Sequence, residues 1–433
     1  MNIGFVSLGC AKNQVDTEEI LMYLKRNGME LTSQVELADI IIINTCAFIE
    51  SAKKEAIDTI LEMAQYKKPL IVIGCLAQRY AEEIKQSIPE ISLVIPIRDY
   101  DHFGEEFQKL IPNLVMEGKI DPTKRIYTSK DHEAYLRISE GCNNFCTFCA
   151  IPLIRGRFHS VPLETLKAEL DDMAKNGIKS VTIISQDTTK YGTDIGLTII
   201  DLLKEVCSHE EFEFVKLMYL YPDEITDELI NFFKDNPKLT PYFDLPLQHG
   251  SNHILRLMAR RGSREQNLEI IKKFKSTVRN AILRTTMLLG FPGETEEDFN
   301  ETMDFIKEIE FDHMGAFIYS REEGTRSYDF PDRVNKNTAK GRYNKLMKEQ
   351  AKISYRLNKQ RLGKKYKFMV QEYDEENMCY YGVSDIYAPD DIDGKMYVYS
   401  NVELHSGDLI EVEIINVPNP YDLEAKFVSF LNK

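Results

Sequence analysis

Three cysteines in one short loop are the residues of this chain whose types and spacing best suit chemistry. Cys142, Cys146 and Cys149 are separated by three and then two residues within positions 141–149. Thiolates that converge on one point favour iron or zinc, because these metals match their softness and charge. A structural zinc site needs four protein ligands, and the nearest downstream candidate, His159, lies ten residues beyond Cys149. The trio therefore predicts an iron–sulfur cluster of four irons, with one iron left open for a small molecule.

Three further cysteines each follow a predicted strand near the start of the chain. They are Cys10, Cys46 and Cys75, after predicted strands at 2–7, 38–44 and 69–74. Ligands of open α/β sheets bind outside the carboxyl ends of the strands, so these distant cysteines should meet at one edge. A single cysteine at a strand end is usually a small core residue, but three at equivalent places predict a second three-cysteine cluster. No Gly-x-Gly-x-x-Gly follows the first strand, which disfavours a dinucleotide site.

The elements that would position this second trio predict an open parallel α/β sheet domain over residues 1–115. The isoleucine run at 40–43 is typical of a strand buried on both faces. Helical periodicity is present at 14–26 and 50–66, and a third helix is predicted to begin at 81–87. Alternation of strands and helices favours a parallel sheet. Residues 116–134 are polar without helical period, and they predict a linker.

Residues 135–360 are predicted to form a partial (β/α)6 TIM-like barrel. The candidate strands lie at 135–139, 180–185, 214–220, 242–246, 282–289 and 313–319. Predicted helices separate the strands, and one of them begins with a capping box at Thr295. The chemistry of such barrels lies at the C-terminal ends of the strands, which is where Cys142, Cys146 and Cys149 follow the first strand.

Polar residues and glycines after the later barrel strands are candidates for holding a cosubstrate. They are Gln186, Asp187, Gln248, Gly290, Gly293 and Glu294. Glycines permit close approach of the backbone to an adenine or ribose. The alternative is that these residues only form turns and helix caps. His249 is predicted to be a supporting or surface residue rather than a ligand.

The last 73 residues, 361–433, have the β-rich runs and glycine-bearing turns of a small five-stranded β-barrel. Such modules often bind RNA, but this one holds seven Lys or Arg against fourteen Asp or Glu. Acidic surfaces repel phosphate, whose contacts dominate nucleic-acid affinity, and they suit a basic protein partner better. The alternative is an acidic face that is merely solvated.

The composition of the whole chain predicts a multidomain globular protein of the cytoplasm. It has 433 residues, 43% of them hydrophobic, and a net charge of −15, which opposes a large nucleic-acid footprint. No apolar run long enough for a membrane span and no basic start typical of a secretory signal is found. Eight cysteines in a cytosolic chain favour metal binding or catalysis over disulfides.

The Cys-x3-Cys-x2-Cys loop resembles that of the radical S-adenosylmethionine enzymes, and the whole chain resembles their methylthiotransferase family. That family combines a three-cysteine sheet domain, a radical S-adenosylmethionine barrel and an OB-like β-module called TRAM. The resemblance is to the RimO-type branch, which modifies an aspartate of a small-subunit ribosomal protein. It is carried by residues 7–13 (Ser-Leu-Gly-Cys-Ala-Lys-Asn), 44–49 (Asn-Thr-Cys-Ala-Phe-Ile), 138–143 (Ile-Ser-Glu-Gly-Cys-Asn) and 246–249 (Pro-Leu-Gln-His). Ala11 departs from a proline often found there.

The resemblance implies two 4Fe–4S clusters and S-adenosylmethionine as methyl donor and radical source. The cluster of Cys142, Cys146 and Cys149 would cleave S-adenosylmethionine to a 5′-deoxyadenosyl radical, which takes hydrogen from the β-carbon of the target aspartate. The other cluster would present a methylated sulfur. No general base is named, since cofactors carry the hard steps. The implied partners are the ribosomal protein or ribosome and a low-potential electron donor such as flavodoxin or ferredoxin.

Two other functions stay open at this point. One is methylthiolation of a modified tRNA adenosine (N6-isopentenyl or threonylcarbamoyl), which a basic stripe elsewhere on the surface would favour. The other is a zinc-bearing scaffold that binds RNA or the ribosome without catalysis, which iron and sulfide analysis would separate from an enzyme.

Overall fold

The computed structural model describes residues 1–431, and these form two compact units. The first unit contains Met1–Thr128, Tyr135–Asp172 and Ser320–Tyr328. The second contains Ser129–Ala134, Met173–Tyr319 and the chain from Asp329 onward. Both cysteine trios belong to the first unit, while every cosubstrate candidate belongs to the second.

The first unit is built on a five-stranded parallel sheet. Its elements are β1 (Asn2–Ser7), α1 (Ala11–Arg26), β2 (Glu30–Thr32), β3 (Ile40–Thr45), α2 (Glu50–Ala64), β4 (Leu70–Gly74), α3 (Cys75–Ser87), β5 (Ile91–Pro96) and α4 (Phe103–Gln108). The strand order is β2-β1-β3-β4-β5, and each neighbouring pair is parallel. The predicted open parallel α/β sheet is confirmed.

The isoleucine run of β3 shows why this sheet is buried on both faces. Ile41 and Ile43 pack into one apolar cluster, whereas Ile40 and Ile42 pack into another. Successive side chains of a strand point to opposite faces, so four isoleucines in a row serve two cores at once.

Two details of the sheet differ from the sequence prediction. The third helix begins at Cys75 itself rather than near Ala81, with a break in helical geometry at Tyr80. Strand β5 was not predicted, because its run alternates exposed Ser92 with buried neighbours and ends in Pro96.

The rest of the first unit includes the loop of Cys142, Cys146 and Cys149 and the elements next to it in the sequence. Its elements are β6 (Glu133–Arg137), β7 (Ser139–Glu140), α5 (Ile151–Ile154), β8 (His159–Ser160) and α6 (Leu163–Lys175), of which β6 and α6 each continue into the second unit. The predicted linker is irregular but firmly packed. The Arg125 side chain is fully buried there and pairs with Glu18 at 3.0 Å and with Glu169 at 2.7 Å.

The second unit carries the remaining barrel strands and helices. Its elements are β9 (Ser180–Ile184), α7 (Ile199–Ser208), β10 (Phe214–Leu217), α8 (Asp227–Asp235), β11 (Tyr242–Gln248), α9 (Asn252–Leu257), α10 (Arg264–Thr277), β12 (Ile282–Leu289), α11 (Glu296–Ile309), β13 (His313–Ile318) and α12 (Lys336–Lys359). Strands β9 and β10 pair in parallel, as do β11, β12 and β13 in that order. The predicted capping box at Thr295 is present. The partial (β/α) barrel is confirmed.

A closed five-stranded barrel ends the described chain. Its strands are β14 (Lys365–Asp374), β15 (Cys379–Ser384), β16 (Met396–Tyr399), β17 (Leu409–Asn416) and β18 (Leu423–Phe430), in the order β14-β15-β16-β18-β17. The buried Lys216 of β10 donates to the carbonyl oxygen of Ser384 at 2.8 Å, which fastens this module to the other strands of its unit. None of the helices in residues 1–431 combines the length and apolar character needed to cross a bilayer.

Candidate cluster-binding site

The cysteines that follow β1, β3 and β4 meet at one edge of the sheet. Cys10 is the residue before α1, Cys46 directly follows β3, and Cys75 opens α3. A Cβ added to Gly9 would lie 3.0 Å from the Cβ of Cys46, which shows how closely the first two loops approach each other. Parallel strands thus bring together three thiols that are far apart in sequence.

The side chain of Asn13, one turn into α1, connects these loops. Its Nδ2 donates to the carbonyl oxygens of Leu8 and Thr45, each at 3.0 Å. Its Oδ1 accepts from the Cys75 thiol at 3.5 Å. Asn13 is the last residue of the motif at 7–13, and its position three residues after Cys10 places it on the same side of the helix start.

Burial disfavours ionisation of two of these thiols. It raises the pKa of Cys46, with a smaller contribution from the nearby Cys10. It raises the pKa of Cys75 to about 12, with Arg155 opposing the shift and Cys46 and Cys10 adding to it. Buried thiols of this kind ionise when a metal coordinates them, so the donor set fits an iron–sulfur cluster.

Cys142, Cys146 and Cys149 lie in a loop with a constrained backbone. Gly141 adopts φ +72°, and a Cβ there would lie 2.2 Å from the carbonyl oxygen of Arg157. The Cys142 amide donates to the carbonyl oxygen of Gly156 at 3.2 Å, and the Cys149 amide donates to that of Cys146 at 3.0 Å. The backbone of this loop therefore curls back against residues 156 and 157, and a tight turn joins Cys146 to Cys149.

Buried ion pairs join the elements beside the two trios. This ion-pair cluster consists of Asp16 and Glu19 of α1, Arg137 of β6, Glu140 of β7 and Arg155 after α5. Arg155 contacts Asp16 at 2.6 Å and Glu140 at 3.4 Å, and Arg137 contacts Glu19 at 2.8 Å. Burial opposes ionisation of Glu140, but Arg155 and Arg137 outweigh it and lower its pKa. The helix that follows Cys10 is thereby fixed to the strand that precedes Cys142.

A second set of contacts involves the segment Ser320–Tyr328. Its buried Glu322 pairs with Lys53 at 2.8 Å and with Arg79 at 3.2 Å. Arg79 also donates to the carbonyl oxygen of Ala47, next to Cys46, at 2.7 Å. The Ser327 amide donates to the carbonyl oxygen of Thr147, inside the other loop, at 2.8 Å. This segment thus contacts the loop of Cys142, Cys146 and Cys149 directly and is connected to the loop of Cys46 through Arg79.

The cosubstrate candidates of the second unit follow strands, as predicted. Gln186 and Asp187 follow β9, and both polar atoms of the Gln186 amide are buried without a hydrogen bond. An orphaned buried amide has a cost that a bound polar ligand would remove. This side chain therefore fits a cosubstrate such as S-adenosylmethionine. Gln248 ends β11 with φ +75°, a strained value for a residue with a side chain.

The loop after β12 has structural reasons for its residues. Gly290 adopts φ +74°, and a Cβ there would lie 2.6 Å from that of Ala339. Gly293 adopts φ +87°. The Glu294 carboxylate accepts from the amides of Gly290 and Phe291 and pairs with Arg342 at 3.1 Å. Its oxygens are therefore engaged in shaping the loop.

His249 is a core residue, so its predicted surface alternative is wrong. Its ring is fully buried, and its Nδ1 accepts from the amide of Ser251 at 3.0 Å. Burial lowers its pKa to about 3, which outweighs the opposing effect of Asp298. The histidine is neutral at physiological pH and supports the turn after β11.

None of the eight cysteines forms a disulfide. Across residues 1–431, no three His, Cys, Asp or Glu side chains gather tightly enough to hold a single metal ion. A four-iron cluster spans more space than one ion, so its ligands stand further apart. Cys207 lies on α7 and Cys379 opens β15, and both belong to the second unit.

Family models match three successive parts of the chain. The model described as "Uncharacterized protein family UPF0004" matches residues 2–96, the radical SAM superfamily matches 136–306, and the TRAM domain matches 362–428. Among solved structures, the radical S-adenosylmethionine methyltransferase TsrM from Kitasatospora setae has a TM-score of 0.56 at 12% identity, over 76% of this chain and 77% of that chain. The cobalamin-dependent radical enzyme OxsB has a TM-score of 0.50 at 14% identity, over 81% of this chain and 56% of that chain. These likenesses show the fold alone.

Curated relatives extend over almost the entire length. The ribosomal protein uS12 methylthiotransferase RimO of Clostridium kluyveri is 43% identical over 98% of this chain and 97% of its own. That of Acetivibrio thermocellus is 41% identical over 100% of this chain and 99% of its own. At this identity and coverage, the chain belongs to the RimO family of radical S-adenosylmethionine methylthiotransferases.

Proposed function

We propose that this enzyme methylthiolates the β-carbon of an aspartate in ribosomal protein uS12 by radical S-adenosylmethionine chemistry. The observation that carries the proposal is that two trios of cysteines outside disulfides lie in one compact unit, connected by buried contacts, in a chain of the RimO family. The enzyme uses two 4Fe–4S clusters and S-adenosylmethionine.

We propose Cys142, Cys146 and Cys149 as the ligands of the cluster that reduces S-adenosylmethionine. We propose Cys10, Cys46 and Cys75 as the ligands of the second cluster. When bound, the first cluster would supply the electron that cleaves S-adenosylmethionine to the hydrogen-abstracting radical, and the second would supply the sulfur that replaces the hydrogen. The protein's own contribution is to hold both sets of thiols in place and to cover them, as the burial of Cys46, Cys75, Cys142 and Cys146 supports.

Cosubstrate contacts are assigned within the second unit. Gln186, Asp187, Gln248, Gly290 and Gly293 are proposed to line the S-adenosylmethionine site, and the unpaired Gln186 amide supports this most directly. Glu294 is proposed to support this site by shaping the loop, since its carboxylate accepts hydrogen bonds from the amides of Gly290 and Phe291. We also propose three functional domains: a sheet domain at 1–115, a radical S-adenosylmethionine domain at 135–360 and a TRAM domain at 361–433. Residues 116–134 link the first two.

The substrate is a protein rather than tRNA in this proposal. The chain from Arg361 onward carries seven Lys or Arg against fourteen Asp or Glu. Phosphate contacts dominate nucleic-acid affinity, whereas ribosomal proteins are basic and match an acidic surface. We also propose a cytoplasmic location and a flavodoxin or ferredoxin as the electron donor.

The test uses the full chain, reconstituted without oxygen with iron and sulfide. The enzyme is incubated with reductant, S-adenosylmethionine and either uS12 or tRNA, and the products are analysed by mass spectrometry. A methylthio group on uS12 alone is expected. A methylthio group on a tRNA adenosine and none on uS12 would show the proposed substrate to be wrong. Zinc in place of about eight irons per chain would rule out the chemistry itself.

A further inference from the structure

We infer that Asn13 is a positioning residue for the cluster of Cys10, Cys46 and Cys75, and that Arg155 extends its hold to the other cysteine loop. The inference rests on the proposed function in one respect, namely that these three cysteines hold a cluster. Asn13 does not touch substrate in this account. It acts through the backbone of the loops that carry the ligands.

The first support is the set of partners that the Asn13 amide joins. Its Nδ2 donates to Leu8, two residues before Cys10, and to Thr45, one residue before Cys46, each at 3.0 Å. Its Oδ1 accepts from the third ligand, Cys75, at 3.5 Å. One side chain therefore contacts all three ligand-bearing segments, which come from three different strands.

The second support is the space that the chain leaves for this amide. Asn13 is fully buried. A Cβ added to Gly9 would lie 2.8 Å from its Nδ2 and 3.0 Å from the Cβ of Cys46. Gly9 also adopts φ +102°, a region that residues with side chains rarely enter. The lack of a side chain at Gly9 therefore leaves room for the Asn13 amide.

The chemistry of an amide explains why asparagine is needed there. An amide offers two donors and an acceptor on one planar group, whereas an ionised carboxylate only accepts. Aspartate at position 13 would turn an oxygen toward the carbonyl oxygens of Leu8 and Thr45. Alanine would leave those buried carbonyls without this donor.

Arg155 connects Asn13 to the loop of Cys142, Cys146 and Cys149. Its guanidinium donates to Asn13 Oδ1 at 2.9 Å and pairs with Asp16 at 2.6 Å. It lies six residues after Cys149, and it also pairs with Glu140, two residues before Cys142, at 3.4 Å. Ala150 and Ile154 pack in the same apolar cluster as Cys75. Polar and apolar contacts therefore fix the two loops against each other.

The primary test measures iron retention rather than turnover. In the full chain with Cys142, Cys146 and Cys149 all changed to alanine, only the second cluster is reconstituted. The rate of iron release to a chelator is then measured with and without Asn13→Asp. Loss of partners behind metal ligands typically costs about 10–100-fold in metal affinity, and we expect iron release to be faster by about that factor. The low-temperature EPR spectrum of the reduced cluster should also change.

Asn27 offers a matched control on the same helix. It directly follows the last residue of α1, and its Nδ2 donates to the carbonyl oxygens of Tyr23 at 3.0 Å and Glu117 at 3.3 Å. It lies fourteen residues, or about 21 Å of helix, from Asn13. Asn27→Ala should release iron at the parent rate. Equal rates for Asn13→Asp, Asn27→Ala and the parent would overturn the inference.

Two further arms keep the result decisive. If circular dichroism shows that Asn13→Asp is unfolded, the same iron-release comparison is made with Asn13→Ala, which adds no charge. In the chain with all six cysteines, Arg155→Gln should alter the magnetic interaction between the two reduced clusters while each keeps its iron. Unchanged spectra would refute the role given to Arg155.

The outcomes separate this inference from the proposed function. Faster iron release from Asn13→Asp in a protein that never modifies uS12 would leave the inference standing and the function refuted. Normal modification of uS12 by the unaltered chain, with no effect of Asn13→Asp on iron release, would support the proposed function and refute the inference.

Discussion

Asp16 offers the most direct test of the buried ion-pair cluster. Its carboxylate is 2% exposed and lies between two guanidiniums, pairing with Arg137 through one oxygen and with Arg155 through the other. Asp16→Asn keeps the size of the side chain but removes its charge. It also turns an NH2 group toward one of the two guanidiniums, because an amide has only one oxygen.

The expected loss of stability follows from the burial of these partners. Breaking a buried pair by removing one member costs about 3–5 kcal/mol, since the other charge stays uncompensated. One oxygen remains to accept a hydrogen bond, so we expect the lower end, about 3 kcal/mol. With a urea dependence of about 2 kcal/mol per molar, the unfolding midpoint should fall by about 1.5 M.

The assay is urea unfolding of the metal-free full chain, followed by circular dichroism. Asp121→Asn is the matched control, because Asp121 pairs with Arg26 at 3.3 Å where the two side chains are 38% and 45% exposed. Exposed pairs are worth about 1 kcal/mol or less. At about 1 M salt the control effect should vanish, while the Asp16 effect should persist. Equal midpoints for the two variants, or an Asp16 effect that salt abolishes, would refute the burial argument.

Three further predictions concern other residues. Gly290→Ala should lower the free energy of unfolding by about 1–3 kcal/mol, and weaken S-adenosylmethionine binding in calorimetry, because the new Cβ would lie 2.6 Å from that of Ala339. His249, with its pKa lowered to about 3 by burial, takes up a proton more readily when unfolded. Stability should therefore fall by about 2 kcal/mol between pH 7 and pH 5, and His249→Asn should flatten that dependence in denaturant titrations. Glu322→Gln leaves Arg79 without its buried partner and should lower the thermal midpoint, whereas Glu323→Gln should not.

Local sequence patterns predict the strands before Cys46 and Cys75 because these strands are continuous apolar runs. The strand expected at 282–289 is β12 without change of bounds. Strand β5 is less evident in the sequence because exposed and buried residues mix along it. Helix α3 begins earlier than predicted because Cys75 follows β4 without an intervening loop.

The contacts that connect the two trios could not be read from local patterns. Asn13 and Arg155 are 142 residues apart in sequence, and neither belongs to a periodic stripe or a spaced motif that reports on the other. The packing of Arg125 within the predicted linker has the same origin, since its partners Glu18 and Glu169 come from distant helices. The composition of this segment indicates a polar connector, but it does not predict whether the fold buries a charged side chain such as Arg125.

The form of the contacts between the trios is informative about their role. A buried ion pair is a weak source of stability, since apolar side chains of similar size often stabilise a core as well or better. Asp16, Arg137 and Arg155 nevertheless occupy the interior of the first unit. Charged hydrogen bonds impose direction and distance on their partners, whereas apolar contacts permit small slides. Transfer of sulfur to a substrate radical would depend on such a fixed placement of the two cysteine trios. We therefore attribute the buried charges to the alignment of the two cysteine loops rather than to the stability of the fold.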